Sequence, residues 1–154
     1  TPATALLRAT GVPFTEHVYE YVERGGAQHG AEALGLDPFA VVKTLVMQVE
    51  GGAPLLVLMH GDCTVSTKNL ARQINRKRIE PCRPDAAQRH TGYLVGGTSP
   101  FGTRKCLPVF VERTVLELPR ILINGGRRGY LVGLPPAVLT SLLKAVPVDC
   151  ALKE

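Results

Sequence analysis

Glycine and proline interrupt this chain at short intervals, with 16 Gly and 12 Pro among 154 residues. A load of that size predicts many turns and short elements. It excludes a coiled coil, and without a Gly-X-Y period it excludes a collagen-like rod. Hydrophobic residues make up 45% and charged residues 20% of the chain, so there is material for a core and the chain is not a disordered tail. The length fits one domain, and the whole of residues 1–154 is read as that unit.

The punctuation marks out the elements. Thr1-Pro2 reads as an N-cap with proline in the first turn. The helix it opens places Ala3, Leu6, Leu7 and Thr10 on one face and ends at Gly11. FTEHVYEY (14–21) has strand-like alternation. ERGGAQHG (23–30) reads as a loop, and AEALGL as a short helix stopping near Gly35. Asp37-Pro38 is a second cap with proline, opening a helix-like DPFAVV. KTLVMQVE (43–50), the Gly51-Gly52 turn and PLLVLMH (54–60) form a strand pair.

Ser66 caps STKNLARQIN, with Leu70 and Ile74 inward. RKRIEP is a brief edge-like strand, and Pro84-Asp85 starts a helix reaching about Arg89. GYLVGGTSPFG (92–102) is irregular. LPVFVE (107–112) is a strand that Pro108 puts at an edge or near its start. RILIN (120–124), the Gly125-Gly126 turn and GYLVGL (129–134) form a hairpin, and AVLTSLLKAV is the last helix. Strands and helices mix without a regular βαβ repeat. The fold expected is α+β, one compact domain on a mixed, curved, barrel-like sheet flanked by helices.

Lys and Arg number 18 against 13 Asp and Glu, a net charge of +5. That balance suits a polyanionic partner. Aromatic residues are only 5% and Trp is absent, which argues against base-stacking platforms for single strands. No apolar run approaches the roughly 18 residues that span a bilayer, and TPATALLRATG lacks the regions of a signal peptide. Cys63, Cys82, Cys106 and Cys150 form no CxxC pair. They read as reduced thiols of a cytoplasmic protein.

Searches for chemistry are mostly negative. There is no Walker loop, HExxH or GxSxG. His17, His29, His60 and His90 are not spaced as metal ligands, and no metal or organic cofactor is implied. Cys106 follows Arg104-Lys105 and Cys63 lies near His60. Either could be an activated thiol, or an incidental one. Lys43, at the start of an apolar strand, can direct its ammonium into a cleft or simply snorkel. The loop GYLVGGTSPFG can present N–H groups to an anion or an oxyanion, or act as a plain crossover. Asn124-Gly125-Gly126 is a second close-approach turn, with the basic Arg127-Arg128 beside it. The run Arg72, Arg76, Lys77, Arg78 can track phosphates, or be a solvated helix face.

Several ordered motifs carry a resemblance. TPATALL…GVPF, VVKTLV (41–46), AQRHTGYLVGGTSPFG (87–102) with its GxxxP loop from Gly96 to Pro100, and INGGRRG (123–129) together resemble the YbaK/prolyl-tRNA-synthetase-associated domain family. Its stand-alone members are trans-editing deacylases of mischarged tRNA. The resemblance spans nearly the whole chain and is closest to the Cys-tRNA(Pro) deacylase branch. It implies hydrolysis, or equivalent cleavage, of the ester joining an amino acid to the tRNA 3′ adenosine.

By motif, the resemblance makes Lys43 the main functional residue, orienting the adenosine or polarising the ester carbonyl. It puts the Gly96 backbone against the aminoacyl group. Tyr19, Thr44, Gly97, Ser99, Pro100, Asn124 and Gly125 are the implied substrate-binding set. Arg72, Arg76, Lys77, Arg78, Arg127 and Arg128 are the candidates for tRNA. The partners implied are aminoacylated tRNA, tRNA(Pro) first, and prolyl-tRNA synthetase, with no DNA and no membrane. In the Cys-specific branch the substrate's own thiol attacks its ester, so no enzyme nucleophile is needed. Those relatives tend to carry Ser at the place of Asn124 and Asp at that of Leu131. Deacylation of Ala or Ser esters by water, and a non-catalytic tRNA- or synthetase-binding module, are therefore the competing readings.

Overall fold

The computed structural model describes residues 1–154. Its elements are α1 (Pro2–Ala9), β1 (Thr15–Val18), α2 (Gly26–Leu34), β2 (Val41–Val49), β3 (Pro54–His60), β4 (Cys63–Val65), α3 (Thr67–Gln73), β5 (Ile79–Pro81), α4 (Pro84–Thr91), β6 (Val109–Glu112), β7 (Ile121–Asn124), β8 (Tyr130–Leu134), α5 (Ala137–Leu143), β9 (Val146–Val148) and β10 (Ala151–Lys153). Short 3-10 turns cover Pro38–Ala40 and Arg113–Glu117. The main sheet has eight strands in the path β1-β8-β7-β2-β3-β6-β9, with β5 beside β2. Parallel pairs (β2/β7, β3/β6, β6/β9) sit among antiparallel ones. This is the mixed α+β architecture expected. No helix is long and apolar enough to cross a membrane.

The strand β3 is buried from Leu55 to His60, because both of its faces are covered. Leu56 and Leu58 join the larger core with Val42, Phe101, Ile121 and Leu139. Leu55, Val57 and Met59 pack on the other face with Met47, Leu70 and Ile79. A third, smaller cluster sets Ala31 of α2 against Val41, Leu122 and Leu131. Alternate residues of β2 thus serve opposite cores, as the period of a strand requires.

The N-terminal cap forms as read: Thr1 Oγ1 accepts from Thr4 N at 3.0 Å. Ala3, Thr4 and Leu7 are the buried residues of α1, whereas Thr10 is exposed. Of the segment 23–30 only 23–25 are loop, since α2 already begins at Gly26. Gly30 is a packing site, where a Cβ would lie 3.0 Å from the Tyr19 ring. The strand in FTEHVYEY is shorter than expected, Thr15–Val18. Val41 and Val42 belong to β2 rather than to a helix, so Lys43 is the third residue of a strand. The last helix stops at Leu143, where Lys144 turns left-handed at φ +56°.

Candidate active site

Between β7 and β5 the sheet has a gap. Both strands pair with the same edge of β2, one at each end. β7 takes Val41 and Val42, and β5 takes Met47, Gln48 and Val49. Residues 43–46 of that edge have no strand beside them, only a single bond from Cys82 N to Val46 O at 3.0 Å. A cleft of about 680 Å³ opens there, a size typical of small-molecule sites. Six consecutive residues, Val41 to Val46, line it. Consecutive strand side chains point to opposite faces, so the cleft must reach round the strand edge and is a slot through the sheet.

Lys43 enters the slot on the α2 side. Its Nζ lies 3.3 Å from Glu154 Oε1, with the lysine side chain 23% exposed. The second oxygen of Glu154 accepts from Gln28 Nε2 at 3.0 Å. Thr44 lies on the other face, and its Oγ1 is buried with no hydrogen-bond partner. An unsatisfied buried hydroxyl costs about 1–3 kcal/mol. Tyr19 lines the slot beside the edge of His29, at 5.9 Å between ring centroids. Burial, then the neighbouring Tyr21, pushes its phenol up, so it stays a proton donor.

The glycine-rich loop closes the opposite wall. Gly96 adopts φ +88°, and a Cβ there would meet Tyr21 Oη at 2.7 Å. Tyr93 braces the loop from below by donating to Phe101 O at 2.6 Å, and burial pushes its phenol up to about 12. The hairpin turn holds the loop from above. Asn124 Nδ2 donates to Gly96 O at 3.2 Å, and Arg128 Nε donates to Val95 O at 2.9 Å.

Lys43, Thr44, Tyr19, Gly96, Asn124 and Arg128 therefore share one cleft. The amide of Asn124 is fully committed to structure. Its Oδ1 accepts from Gly126 N and Arg127 N, and its Nδ2 also donates to Arg127 O. Gly97, Ser99, Pro100 and Gly125 are buried and lie outside the cleft lining. Ser99 Oγ accepts from Phe101 N at 3.1 Å, a bond that shapes the loop. A Cβ on Gly97 would come within 2.8 Å of Arg128 N, and one on Gly125 within 2.5 Å of the Tyr130 ring. At Gly97 and Gly125 the missing Cβ is what permits so close an approach.

The basic residues divide. Arg127 lies over Tyr130 at 4.4 Å and Arg128 over Tyr21 at 4.9 Å, both exposed and next to the slot. Arg76 pairs with Glu50 at 3.1 Å and Arg78 with Glu80 at 3.9 Å, toward the opposite end of β2 from Lys43. Arg72 donates to Asn69 Oδ1 at 2.8 Å, and Lys77 is exposed. Sequence reasoning did not single out Tyr21, Cys82, Val95 or Thr98 as lining residues. The only signal was the HVYEY spacing, which sets Tyr21 two places from Tyr19.

The surroundings of Cys63, Cys82 and Cys150 disfavour their thiolates. Cys63 does not meet His60, whose Nδ1 bonds Phe39 O at 2.6 Å and whose Nε2 bonds Thr114 Oγ1 at 2.7 Å. Burial, then Asp62, pushes the Cys63 thiol up. Burial, then Glu80, does the same for Cys82. Burial drives Cys150 up to about 12. No cluster of three or more His, Cys, Asp or Glu side chains is placed to hold a metal.

Comparison with known proteins finds similarity along the whole chain. A protein of Enterococcus faecalis, carrying the provisional name Cys-tRNA(Pro)/Cys-tRNA(Cys) deacylase EbsC, is 27% identical over 155 residues, covering 100% of this chain and 94% of that one. The solved structure of a protein provisionally described as a trans-editing enzyme for prolyl tRNA synthetase superposes with a TM-score of 0.83 at 24% identity, covering 99% and 95% of the two chains. A proline–tRNA ligase of Brachyspira hyodysenteriae is 22% identical over 86 residues, which is 56% of this chain and 15% of the ligase. The model of the aminoacyl-tRNA editing domain matches residues 24–142, and with the motifs and slot described above, the chain belongs to that family.

Proposed function

We propose that the chain is a trans-acting deacylase that opens the ester between a small amino acid and the 3′ adenosine of tRNA, with Cys-tRNA(Pro) its first substrate. The carrying observation is that Lys43 and the Gly96 loop face one slot whose only lining cysteine, Cys82, has its thiol pushed up. Such a site supplies orientation and charge rather than a nucleophile. Glu154 lies outside the segment that the family model matches yet reaches Lys43, so this reading counts it with the site.

In the thiol-assisted route, the substrate's sulfur bonds to its own ester carbon as the bond to the ribose oxygen breaks. The thiol proton goes to that oxygen, and water later opens the thiolactone. Lys43 draws charge from the carbonyl or holds the adenosine, and Tyr19 offers its O–H. The test is single-turnover deacylation of Cys-, Ala-, Pro- and Ser-charged tRNA(Pro). Loss of Cys alone supports the route. A second reading, water attack on Ala or Ser esters, is favoured by the presence of His29 in the lining. It expects those two esters to be lost faster, and loss of activity in His29→Ala. No cleavage of any ester leaves a binding module.

Gly96→Ala should lower the rate roughly 10- to 100-fold. A side chain at φ +88° that meets Tyr21 Oη carries about 1–3 kcal/mol of strain, relieved by moving the wall. An unchanged rate in rapid-quench assays would remove the loop from the site.

For tRNA, Arg127 and Arg128 are the proposed phosphate contacts beside the slot. Arg72, Arg76, Lys77 and Arg78 form an outer patch partly neutralised by Glu50 and Glu80. Arg127→Ala with Arg128→Ala should weaken tRNA binding. The salt slope of log affinity should become shallower by roughly one per lost contact, by counterion release. Titrations between two salt concentrations measure this. Prolyl-tRNA synthetase, by holding the same tRNA, would raise the local substrate concentration. Its addition should speed deacylation at limiting tRNA.

A further inference from the structure

The unpaired edge of β2 offers a recognition element of its own. Val49 N bonds Ala53 O across the β2/β3 turn, so odd-numbered residues of β2 turn their backbone groups toward β3. Val46 O, accepting from Cys82 N, faces the other way. Thr44 shares the parity of Val46, since N–H and C=O of alternate strand residues point to the same side. Its N–H and C=O therefore both face the slot. The pairing of β5 runs Met47 with Pro81 and Gln48 with Glu80. Continued along β2, that register would set Thr44 opposite residue 84. Position 84 is a proline, which has no N–H, and it already opens α4. β7 ends its pairing at Val42. The rung at Thr44 is empty, and the Thr44 hydroxyl is unpartnered as well.

We propose that the aminoacyl group of the substrate occupies this rung as a single residue of an antiparallel strand. Its α-amino N–H donates to Thr44 C=O, and its ester carbonyl accepts from Thr44 N–H, the reciprocal pair of a narrow antiparallel rung. The inference rests on the deacylase reading and specifies its substrate: an ester of an α-amino acid in extended conformation. Thr44 then binds and orients the substrate directly, through its main chain. Side-chain selection is left to the walls of the slot, because the two backbone bonds are the same for every amino acid. The N–H also supplies polarisation to the carbonyl that reacts.

The test replaces Thr44 by its α-hydroxy acid, which exchanges the N–H for an oxygen and keeps the side chain. Binding of 3′-cysteinylamino-3′-deoxyadenosine, which cannot be hydrolysed, is measured by calorimetry alongside Tm and single-turnover deacylation. Affinity and rate about 10- to 100-fold lower at unchanged Tm is the expected result. Unchanged affinity overturns the proposal, whether or not Tm falls. If affinity and Tm fall together, the unaltered protein decides with the 3-mercaptopropionyl analogue, which lacks the α-amine. Binding at least 10-fold weaker than the cysteinyl ligand supports the rung, and equal binding overturns it. A wild-type protein that binds the amide but cleaves no ester would end the deacylase reading while leaving the rung measured by affinity.

Discussion

Lys43→Ala is expected to reduce single-turnover deacylation by about 100- to 1,000-fold, the usual consequence of removing one charged donor from a transition-state site. Folding should barely change. The ammonium is 3.3 Å from Glu154 in an ion pair whose partners are 23% and 39% exposed, and pairs of that kind contribute only about 0–1 kcal/mol. Chemical denaturation alongside rapid-quench kinetics separates the two effects. A variant of full activity would show that the lysine is not part of the chemistry. A Lys43→Met variant, which keeps the stem and loses the charge, should be as slow as the alanine.

Glu112→Ala is the second large effect, and it falls on stability. The carboxylate is 3% exposed. Oε2 accepts from Thr114 N at 2.9 Å and Thr114 Oγ1 at 2.8 Å, and Oε1 accepts from Cys150 N and Ala151 N, both at 2.9 Å. Through Thr114 the network continues to His60, whose ring stacks on Phe39 at 3.6 Å. One side chain thus fastens β6, the turn after it and the segment leading into β10. Removing it orphans four donors, a loss of about 3–5 kcal/mol, or roughly 6–20 °C in Tm for a chain of this size. Glu112→Gln should lose less, because its one carbonyl oxygen can serve one of the two pairs.

Burial alone would raise the Glu112 carboxyl, but the N–H groups of Thr114, Cys150 and Ala151 and the Thr114 hydroxyl outweigh it and hold the group below the usual carboxylate range. The folded value is thus lower than the unfolded one. The stabilisation is complete above the unfolded pKa and is lost as pH falls through the folded one. Melting curves from pH 7 downward should show a decline beginning near the ordinary Glu range. In Glu112→Ala that part of the decline should be absent.

Elements with local signals were legible before any coordinates. The hairpin of β7 and β8 follows from its Asn-Gly-Gly turn, the β2/β3 pair from Gly51-Gly52, and α1 from Thr1-Pro2. α2 was misread at its start because glycine at 25, 26 and 30 looks like a breaker. The benefit of Gly30 lies in contact with Tyr19, eleven residues away. β4, β9 and β10 have three residues each, too few for a period to show. Lys43 and the GxxxP loop stood out as motifs. That Asn124 spends its amide on its own turn, that Glu154 meets Lys43, and that β2 lacks a neighbour at Thr44 all depend on partners distant in sequence.

The Lys43–Glu154 pair gives the slot a resident counter-ion: the ammonium sits beside a carboxylate that Gln28 also holds. In the proposed reading an aminoacylated strand brings a phosphate for every nucleotide, and a phosphate that reached Lys43 would trade places with Glu154. That exchange is nearly free, because a partly exposed pair of this kind contributes only about 0–1 kcal/mol. The acid thus neutralises the site at rest without barring an uncharged nucleoside ester from it.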